Sequence, residues 1–229
     1  MCGRFALWNP PGTISRIFKV SVPLDLSPRY NIAPSQKILT IRQQADQPRE
    51  AVYCQWGLIP EWARDATIGY NLINARAESV SSKPAFKAAF RSQRCLIPAS
   101  GFYEWKEANN SKQPFLVLPE ADDLFALAGL WNTWTDPQTN TAIATCAILT
   151  TEANSKLQGL HHRMPVIVNS SYFVRWLDPS VSDAADLDPI MQPCSPDTIS
   201  YQPVSPTVND TRNEDESLIE PVKAQGHLF

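Results

Sequence analysis

The chain of 229 residues lacks the long apolar segments that membrane and secreted proteins carry. No run reaches the ~18 apolar residues that a membrane-spanning helix needs, and the N-terminus lacks the basic and apolar regions of a secretory signal. Helix-turn-helix and zinc-finger patterns, which read the sequence of a DNA duplex, are also missing. These absences predict a cytoplasmic protein with no membrane contact.

Cysteine is sparse and irregularly spaced, which excludes two further classes of protein. The chain has five cysteines and no CxxC pair: Cys2, Cys54, Cys95, Cys146 and Cys194. An odd number of widely separated cysteines predicts neither a disulfide framework nor a zinc site. We therefore expect free thiols, with neither a metal nor another cofactor.

The net charge of −3 conceals an uneven distribution of charge along the chain. The first 112 residues carry 15 Lys and Arg against 8 Asp and Glu, a balance of +7, whereas the rest carries 5 against 15, a balance of −10. A basic half can provide a phosphate-binding face even in a mildly acidic protein, because local potential attracts a polyanion. Charge alone does not distinguish such a face from an ordinary solvated surface.

The residues that are abundant predict a globular α+β domain. Hydrophobic residues make up 43% of the chain, enough for a substantial core, and the 20 prolines fall between apolar runs. Prolines between apolar runs favour short antiparallel strands joined by rigid loops. We expect a single domain over residues 1–229, with mainly antiparallel strands in a barrel-like sheet and a few peripheral helices.

Local patterns give the expected elements of this fold. Runs rich in β-branched and aromatic residues predict strands at 4–8, 37–42, 51–56, 94–97, 101–106, 115–118, 124–133 and 142–150. Helical spacing predicts helices at 13–20, 84–91 and 170–177, with a fourth at 180–188.

Cys2 follows the first methionine directly, and two interpretations of it are open. Removal of Met1 would leave one residue with a free α-amine and a thiol on adjacent carbons. Their ordinary pKa values, roughly 7.7–8.0 and about 8.5, would leave a useful fraction of each deprotonated near neutrality. Free cysteines are nevertheless among the most buried residues, so Cys2 taken alone favours a packing role.

Few side chains can act as an acid or base near neutral pH, because the chain has only three histidines. His161 and His162 lie together in HHRMP, directly before Arg163, and His227 lies close to the end of the chain. Glu104 in GFYEW is flanked by aromatic rings, and burial would make its carboxyl harder to ionise. An outward-facing strand position is the alternative for Glu104.

Two further patterns favour the binding of anions and nucleic acids. In LINARAES, Asn74, Arg76 and Glu78 alternate, so an extended strand would present all three on one side. An amide and a guanidinium together suit an oxyanion or a phosphate. Aromatic and basic residues are interleaved in WGLIPEWAR and at Trp105 with Lys106, a pairing that holds single-stranded nucleic acid by stacking and charge. Some of the seven tryptophans are expected to be core residues instead.

The order of these motifs along the chain resembles one family. In sequence order the blocks are MCGRF, RYNIAPSQ, WGLIPEWA, NARAES, RCLIPASGFYEW, ALAGLW and HHRMPVIV, followed by the VSPTVND…LIEP stretch. This series is similar to the SRAP family, the SOS-response-associated abasic-site processing proteins. The resemblance implies an enzyme that recognises abasic sites in single-stranded DNA, associated with the nucleoid if the source is bacterial.

The resemblance also implies a reaction for the N-terminal cysteine. An abasic sugar opens to an aldehyde, the α-amine of Cys2 attacks it to give an imine, and the thiol then closes a five-membered thiazolidine ring. The resulting DNA–protein crosslink would protect the lesion. Crosslink reversal, strand cleavage by a lyase step and a peptidase-like removal of Met1 by the protein itself are implied as well.

Roles for other residues follow from the same resemblance. Asn74 would orient the opened sugar, Glu104 would relay protons, and His161 would act as acid or base in ring opening, crosslink reversal or strand cleavage. His161 is preferred to His162 because the family histidine stands two residues before the arginine of RMP. The residues implied in DNA contacts are Arg4, Arg76, Trp105 and Arg163. We expect a monomer.

Two other functions stay open at this point. Glutamine amidohydrolases also begin with Met-Cys-Gly and use the thiol on an amide, although CGRF lacks the apolar residue and glycine expected after CG in that class. A non-catalytic binder of damaged single strands would use the same basic and aromatic face without covalent chemistry. Ammonia release from glutamine would support the first, and unchanged binding by Cys2→Ala the second.

Overall fold

Twelve strands form the framework of the computed structural model, which describes residues 2–108 and 111–223. The strands are β1 (Phe5–Leu7), β2 (Arg29–Ile32), β3 (Lys37–Arg42), β4 (Glu50–Trp56), β5 (Asn74–Arg76), β6 (Arg94–Ala99), β7 (Gly101–Ala108), β8 (Ser111–Pro119), β9 (Phe125–Thr135), β10 (Ala142–Glu152), β11 (Arg163–Pro165) and β12 (Ile199–Pro203).

The helices of the described residues are short. The α-helices are α1 (Pro11–Phe18), α2 (Lys87–Ser92), α3 (Phe173–Leu177) and α4 (Ala184–Leu187). The 3-10 helices cover Ala66–Asn71, Ala77–Ser79, Ser170–Tyr172, Asp188–Ile190, Pro196–Thr198, Pro206–Asn209 and Glu216–Ile219. None of the helices in residues 2–108 and 111–223 combines the length and apolar character needed to cross a membrane.

Five strands close into a barrel. The order β10–β4–β3–β6–β9 returns to β10 through the β9–β10 pairing. In this ring β4 runs parallel to β10, and the other pairings are antiparallel. The barrel strands contribute fully buried side chains to the core, among them Ile41, Leu96 and Ile148. The predicted α+β fold with a barrel-like, mainly antiparallel sheet is confirmed.

The second sheet holds the start of the chain against the barrel. Its order is β12–β8–β7–β1–β2, and every pairing is antiparallel. Phe5 on β1 is buried and meets Trp56 of the barrel strand β4 edge-on, with ring centroids 5.4 Å apart. Such aromatic contacts stabilise the fold beyond what the burial of their apolar area provides, so the segment after Cys2 has a fixed position.

Strand β10 is shared between the barrel and the region of the candidate site. Its residues Ile148 to Thr150 pair in parallel with β5, and Thr150 to Glu152 pair with β11. One long strand therefore carries on its two edges the short strands that contain Asn74 and Arg163. This arrangement brings two distant sequence motifs into one region.

The predicted elements are present, with shifted ends. All eight predicted strands occur, whereas β2, β5, β11 and β12 were not predicted, because they are too short or too polar to give an alternating pattern. Helix α1 begins at Pro11, two residues before the predicted start, since the φ angle of proline suits the first turn of a helix. It ends before Lys19, which has a φ of 53°.

The acidic segment at residues 209–221 docks on the second sheet. Leu218, Val208 and Val204 are buried in one cluster with Tyr103 and Leu116. The predicted extent of the domain, residues 1–229, stays a prediction, and Met1 and His227 lie outside the described residues.

Candidate active site

Cys2 lies three residues before the start of β1 and is fully buried. The side-chain amide of Asn74 donates a hydrogen bond from Nδ2 to the carbonyl oxygen of Cys2 at 2.8 Å. The Oδ1 atom of Asn74 is also buried and has no hydrogen-bond partner among the described residues. A buried acceptor without a partner is costly and is found at functional sites, so Asn74 can receive a hydroxyl of a bound molecule.

Glu104 on β7 is buried, as its predicted role in proton transfer requires, and does not face outward. The residue is only 3% exposed. Burial raises the pKa of the Glu104 carboxyl to about 7, even though the backbone N–H of Trp105 acts in the opposite direction. A carboxyl group that is half-protonated near neutrality can both accept and donate a proton, as a proton relay requires.

The thiol of Cys2 differs from its expected state. The useful fraction of thiolate was expected from the ordinary pKa of a free thiol after removal of Met1, and the environment of Cys2 in this structure changes that pKa. Burial, followed by the charge of Glu104, raises the pKa of the Cys2 thiol well above its usual range. The resting thiol is protonated, so a base must remove its proton when sulfur reacts.

His161 has a defined position at the cavity wall. Its Nδ1 atom lies 2.9 Å from the backbone nitrogen and 3.2 Å from the carbonyl oxygen of Arg163, so the backbone holds this ring nitrogen in either tautomer. Burial is the main cause that lowers the pKa of the His161 imidazole, so the ring is neutral at pH 7. The ring stacks on His162 with centroids 4.3 Å apart. His161 is therefore a positioned imidazole that can exchange a proton with a bound molecule.

Arg163 contacts His161 through its backbone, while its side chain is held by Glu78 and Thr150. Its guanidinium donates from Nη1 and Nη2 to the two carboxylate oxygens of Glu78 at 2.7 and 2.9 Å, and from Nη2 to the carbonyl oxygen of Thr150 at 2.6 Å. The side chain is 9% exposed. A contact between this group and a DNA phosphate would require the ion pair with Glu78 to open.

The NARAES motif is only partly extended. Strand β5 ends at Arg76, and Glu78 lies in the following 3-10 turn. The expectation that Asn74, Arg76 and Glu78 share one side of a strand is therefore wrong, because the chain turns after Arg76. Arg76 is exposed, and Glu78 turns toward Arg163.

A cavity of about 870 Å³ brings four of the predicted site residues together. Its wall includes Glu104, His161, Arg4 and Trp105. Lys106, Lys112, Glu107, Gln158, Gly159, Leu160, His162 and Asn209 complete the lining. Cys2, which is buried, and Asn74, which is partly buried, do not line this cavity. A hydrogen bond links them to each other, and the charge of Glu104 acts on the thiol of Cys2. Arg76 and Arg163 do not line the cavity.

Arg4 and Trp105 form a cationic and aromatic part of the cavity. The Cζ atom of Arg4 lies 5.9 Å from the centroid of the Trp105 ring. Arg4 donates from Nη1 to Oδ1 of Asn31 at 2.6 Å and to the carbonyl oxygen of Val208 at 2.8 Å. Cations and rings in this arrangement suit the backbone and bases of a single strand.

The aromatic residues of WGLIPEWAR are divided between the core and the surface. Trp56 is fully buried, as expected of some tryptophans, and Trp62 is 61% exposed. Trp62 and Arg64 line a separate cavity of about 460 Å³. Among the described residues, no group of three or more His, Cys, Asp or Glu side chains could hold a metal ion.

A family model described as SOS response associated peptidase (SRAP) matches residues 1–211, most of the chain. The chain belongs to the SRAP family. Two SRAP relatives from Bacillus subtilis are named abasic site processing proteins. YoqW is 41% identical over 96% of this chain and 99% of its own length, and YoaM is 38% identical over 100% of both.

Two more distant comparisons extend the similarity to a vertebrate protein and to a solved structure. The abasic site processing protein HMCES from Xenopus tropicalis is 29% identical over 81% of this chain and 64% of its own length. A solved structure from Bacteroides thetaiotaomicron matches with a TM-score of 0.88 and 23% identity over 97% of this chain and 100% of that chain, which shows the same fold.

Three residues hold predicted members of the candidate site; Asn31 and Asn209 were not singled out in the sequence, and Glu78 was named there only as a member of NARAES. Asn31, Asn209 and Glu78 hold Arg4, Trp105 and Arg163, respectively. All three lie inside the blocks that carried the resemblance: RYNIAPSQ, VSPTVND and NARAES. The blocks marked them as notable, but only tertiary contacts reveal which side chain each one holds.

Proposed function

We propose that this SRAP protein processes abasic sites in single-stranded DNA, and that Cys2 forms a thiazolidine crosslink with the lesion after Met1 is removed. The proposal is carried by the contact of Cys2 with Asn74 and the effect of the Glu104 charge on its thiol, together with the cavity that Glu104 and His161 line. The names of the relatives support abasic sites as the substrate. Self-removal of Met1, crosslink reversal and strand cleavage by a lyase step belong to the same proposal.

The reaction needs both nucleophiles of Cys2. The α-amine adds to the aldehyde carbon of the opened sugar, and loss of water gives an imine. The thiol then adds to the same carbon, forming a C–S bond while the imine nitrogen gains a proton. The net change is the release of one water, and the product is held by two bonds to the protein instead of one.

Glu104 supplies the proton transfers that these steps require. As a carboxylate it takes the proton from the attacking amine, and as an acid it returns that proton to the departing hydroxyl. It then takes the proton of the Cys2 thiol, whose raised pKa makes a base necessary. The buried Oδ1 of Asn74 accepts a hydroxyl hydrogen bond from the opened sugar and keeps the aldehyde near the amine.

The charges of the cavity favour a nucleic acid strand. Arg4, Lys106 and Lys112 line it, and Trp105 offers a ring for a neighbouring base. Lys112 also lies 3.4 Å from Glu107, an exposed ion pair that salt and phosphate can replace at little cost.

His161 is assigned to crosslink reversal. When the thiazolidine opens, the C–S bond breaks and sulfur needs a proton, which the imidazolium form of His161 can donate; the neutral ring that remains then takes up a proton from solvent. Replacement of His161 by alanine is expected to leave adduct formation within about 2-fold but to slow release by about 10²-fold, the lower range for a general acid. Release is measured on denaturing gels after excess unlabelled abasic strand is added. His162→Ala is the matched control, and an equal release rate in His161→Ala would contradict the role.

An adduct assay tests the proposed function as a whole. The purified protein is expected to form a denaturation-resistant adduct with an abasic single strand and none with the same strand lacking the lesion. Binding without an adduct would instead favour the non-covalent binder. Ammonia release from glutamine would favour the amidohydrolase.

A further inference from the structure

We propose that Asn209 is a positioning residue that fixes the Trp105 ring in the cavity and thereby sets how tightly a damaged strand is held. This inference rests on the proposed function. It concerns the segment from Pro206 to Glu214, which lies far from the reactive groups in sequence.

Asn31 holds this segment against strand β2. Its side chain is fully buried, and its Nδ2 donates to the carbonyl oxygens of Val208, Asp210 and Asn213 at 3.3, 3.0 and 2.8 Å. A buried amide with this many partners defines a single position for the backbone around it, because every alternative leaves polar atoms unpaired.

Glu214 fixes the far end of the same segment. Its Oε1 accepts from the backbone N–H groups of Tyr30 and Asn31 at 2.5 and 2.8 Å, and its Oε2 accepts from Nε of Arg29 at 3.1 Å. Val208, in the middle of the segment, is fully buried. The backbone at Asn209 is therefore held on both sides.

Two neighbouring residues of this segment hold the two DNA-contact candidates of the cavity. The carbonyl oxygen of Val208 accepts from Nη1 of Arg4 at 2.8 Å, and Oδ1 of Asn209 accepts from the indole Nε1 of Trp105 at 2.7 Å. Trp105 is partly exposed at the cavity wall. The indole has one donor, so this bond selects one orientation of the ring.

A ring held in one orientation binds a base with a smaller loss of entropy than a ring that rotates freely. Without Asn209, the ring would have to be ordered when the strand binds. The effect falls on binding, because Asn209 touches neither Cys2 nor the proton-transfer groups in the contacts described. Asn209 is exposed and uncharged, so its loss neither unfolds the domain nor removes a phosphate contact.

A double-mutant cycle tests this role. The parent, Asn209→Ala, Trp105→Phe and the double variant are compared by the concentration of abasic strand that half-saturates crosslinking and by the rate at saturation. Asn209→Ala is expected to raise the half-saturating concentration about 3- to 10-fold, as for one neutral hydrogen bond, with the saturating rate within about 2-fold. In the Trp105→Phe background the same change is expected to have no effect, because phenylalanine has no N–H.

Thr207→Ala is the control from the same turn, since its exposed hydroxyl contacts Ser205 and no residue of the cavity. Two results would overturn the inference: no change in half-saturation for Asn209→Ala, or an equal change in both backgrounds. The slope of affinity against salt is expected to stay unchanged in Asn209→Ala. Failure of the proposed function is recognised separately, because the parent protein would then form no adduct.

Discussion

Replacement of Cys2 by alanine is expected to abolish the crosslink that survives denaturation, an effect of at least about 10³-fold on adduct yield per unit time, as for loss of a covalent nucleophile. The variant keeps an N-terminal α-amine after Met1 is removed, but it has no thiol to close the ring. It can reach the imine and no further. The yield is measured on denaturing gels with an abasic single strand.

Borohydride reduction distinguishes an imine adduct from the closed thiazolidine ring of the proposed product. Cys2→Ala is expected to give an adduct only when borohydride reduces the imine, whereas the parent protein needs no reductant. Cys2→Ser is the closer control, since it keeps the size of the side chain. A parent-like yield from Cys2→Ala without borohydride would show that another residue forms the crosslink.

Replacement of Glu104 by glutamine is expected to slow adduct formation by about 10²- to 10³-fold, the range for loss of a general acid–base group. In the parent, the rate is expected to rise as the pH increases through about 7, because the carboxyl with its raised pKa must be ionised to accept a proton. This inflection is expected to disappear in Glu104→Gln, leaving the titration of the α-amine. An inflection near pH 7 in both proteins would contradict the assignment.

The same substitution is expected to stabilise the fold at alkaline pH. The pKa of Glu104 is about 7 in the folded protein against an ordinary value of 4.5, so the folded state binds more protons between these values. Stability of the parent therefore falls as the pH rises through this window, by up to about 3 kcal/mol. Glu104→Gln lacks this loss, so its advantage in free energy of unfolding is expected to be larger at pH 8 than at pH 4.5. Urea unfolding at both pH values measures it, and an equal difference would contradict the burial argument.

Elements with strong local patterns were predictable from the sequence. Glu104 is an example, because its flanking aromatic residues predicted a strand and a carboxyl group that is harder to ionise. The structure has both: Glu104 lies on β7, and burial raises its pKa. The short strand β5 was not predicted, since three residues give no periodicity and its pairing with β10 is a tertiary contact. The turn of the chain after Arg76 was missed for the same reason.

The chemical states of the site were less predictable than its members. The sequence motif points to Cys2, but the high pKa of its thiol results from burial and from Glu104, a residue distant in sequence. His161 lies two residues before Arg163 in the sequence, yet only the structure reveals that the Arg163 side chain binds Glu78 and the carbonyl oxygen of Thr150. Burial and partner choice depend on the whole fold, and neither is encoded in a short motif.

The mass of the intact adduct is the most direct test of the central claim that the N-terminus is the reagent. The protein is incubated with an abasic single strand, denatured without borohydride and measured by mass spectrometry. The expected mass is that of the chain without Met1, plus the strand, minus one water. An active protein that retains Met1, or an adduct formed equally by Cys2→Ala, would contradict it.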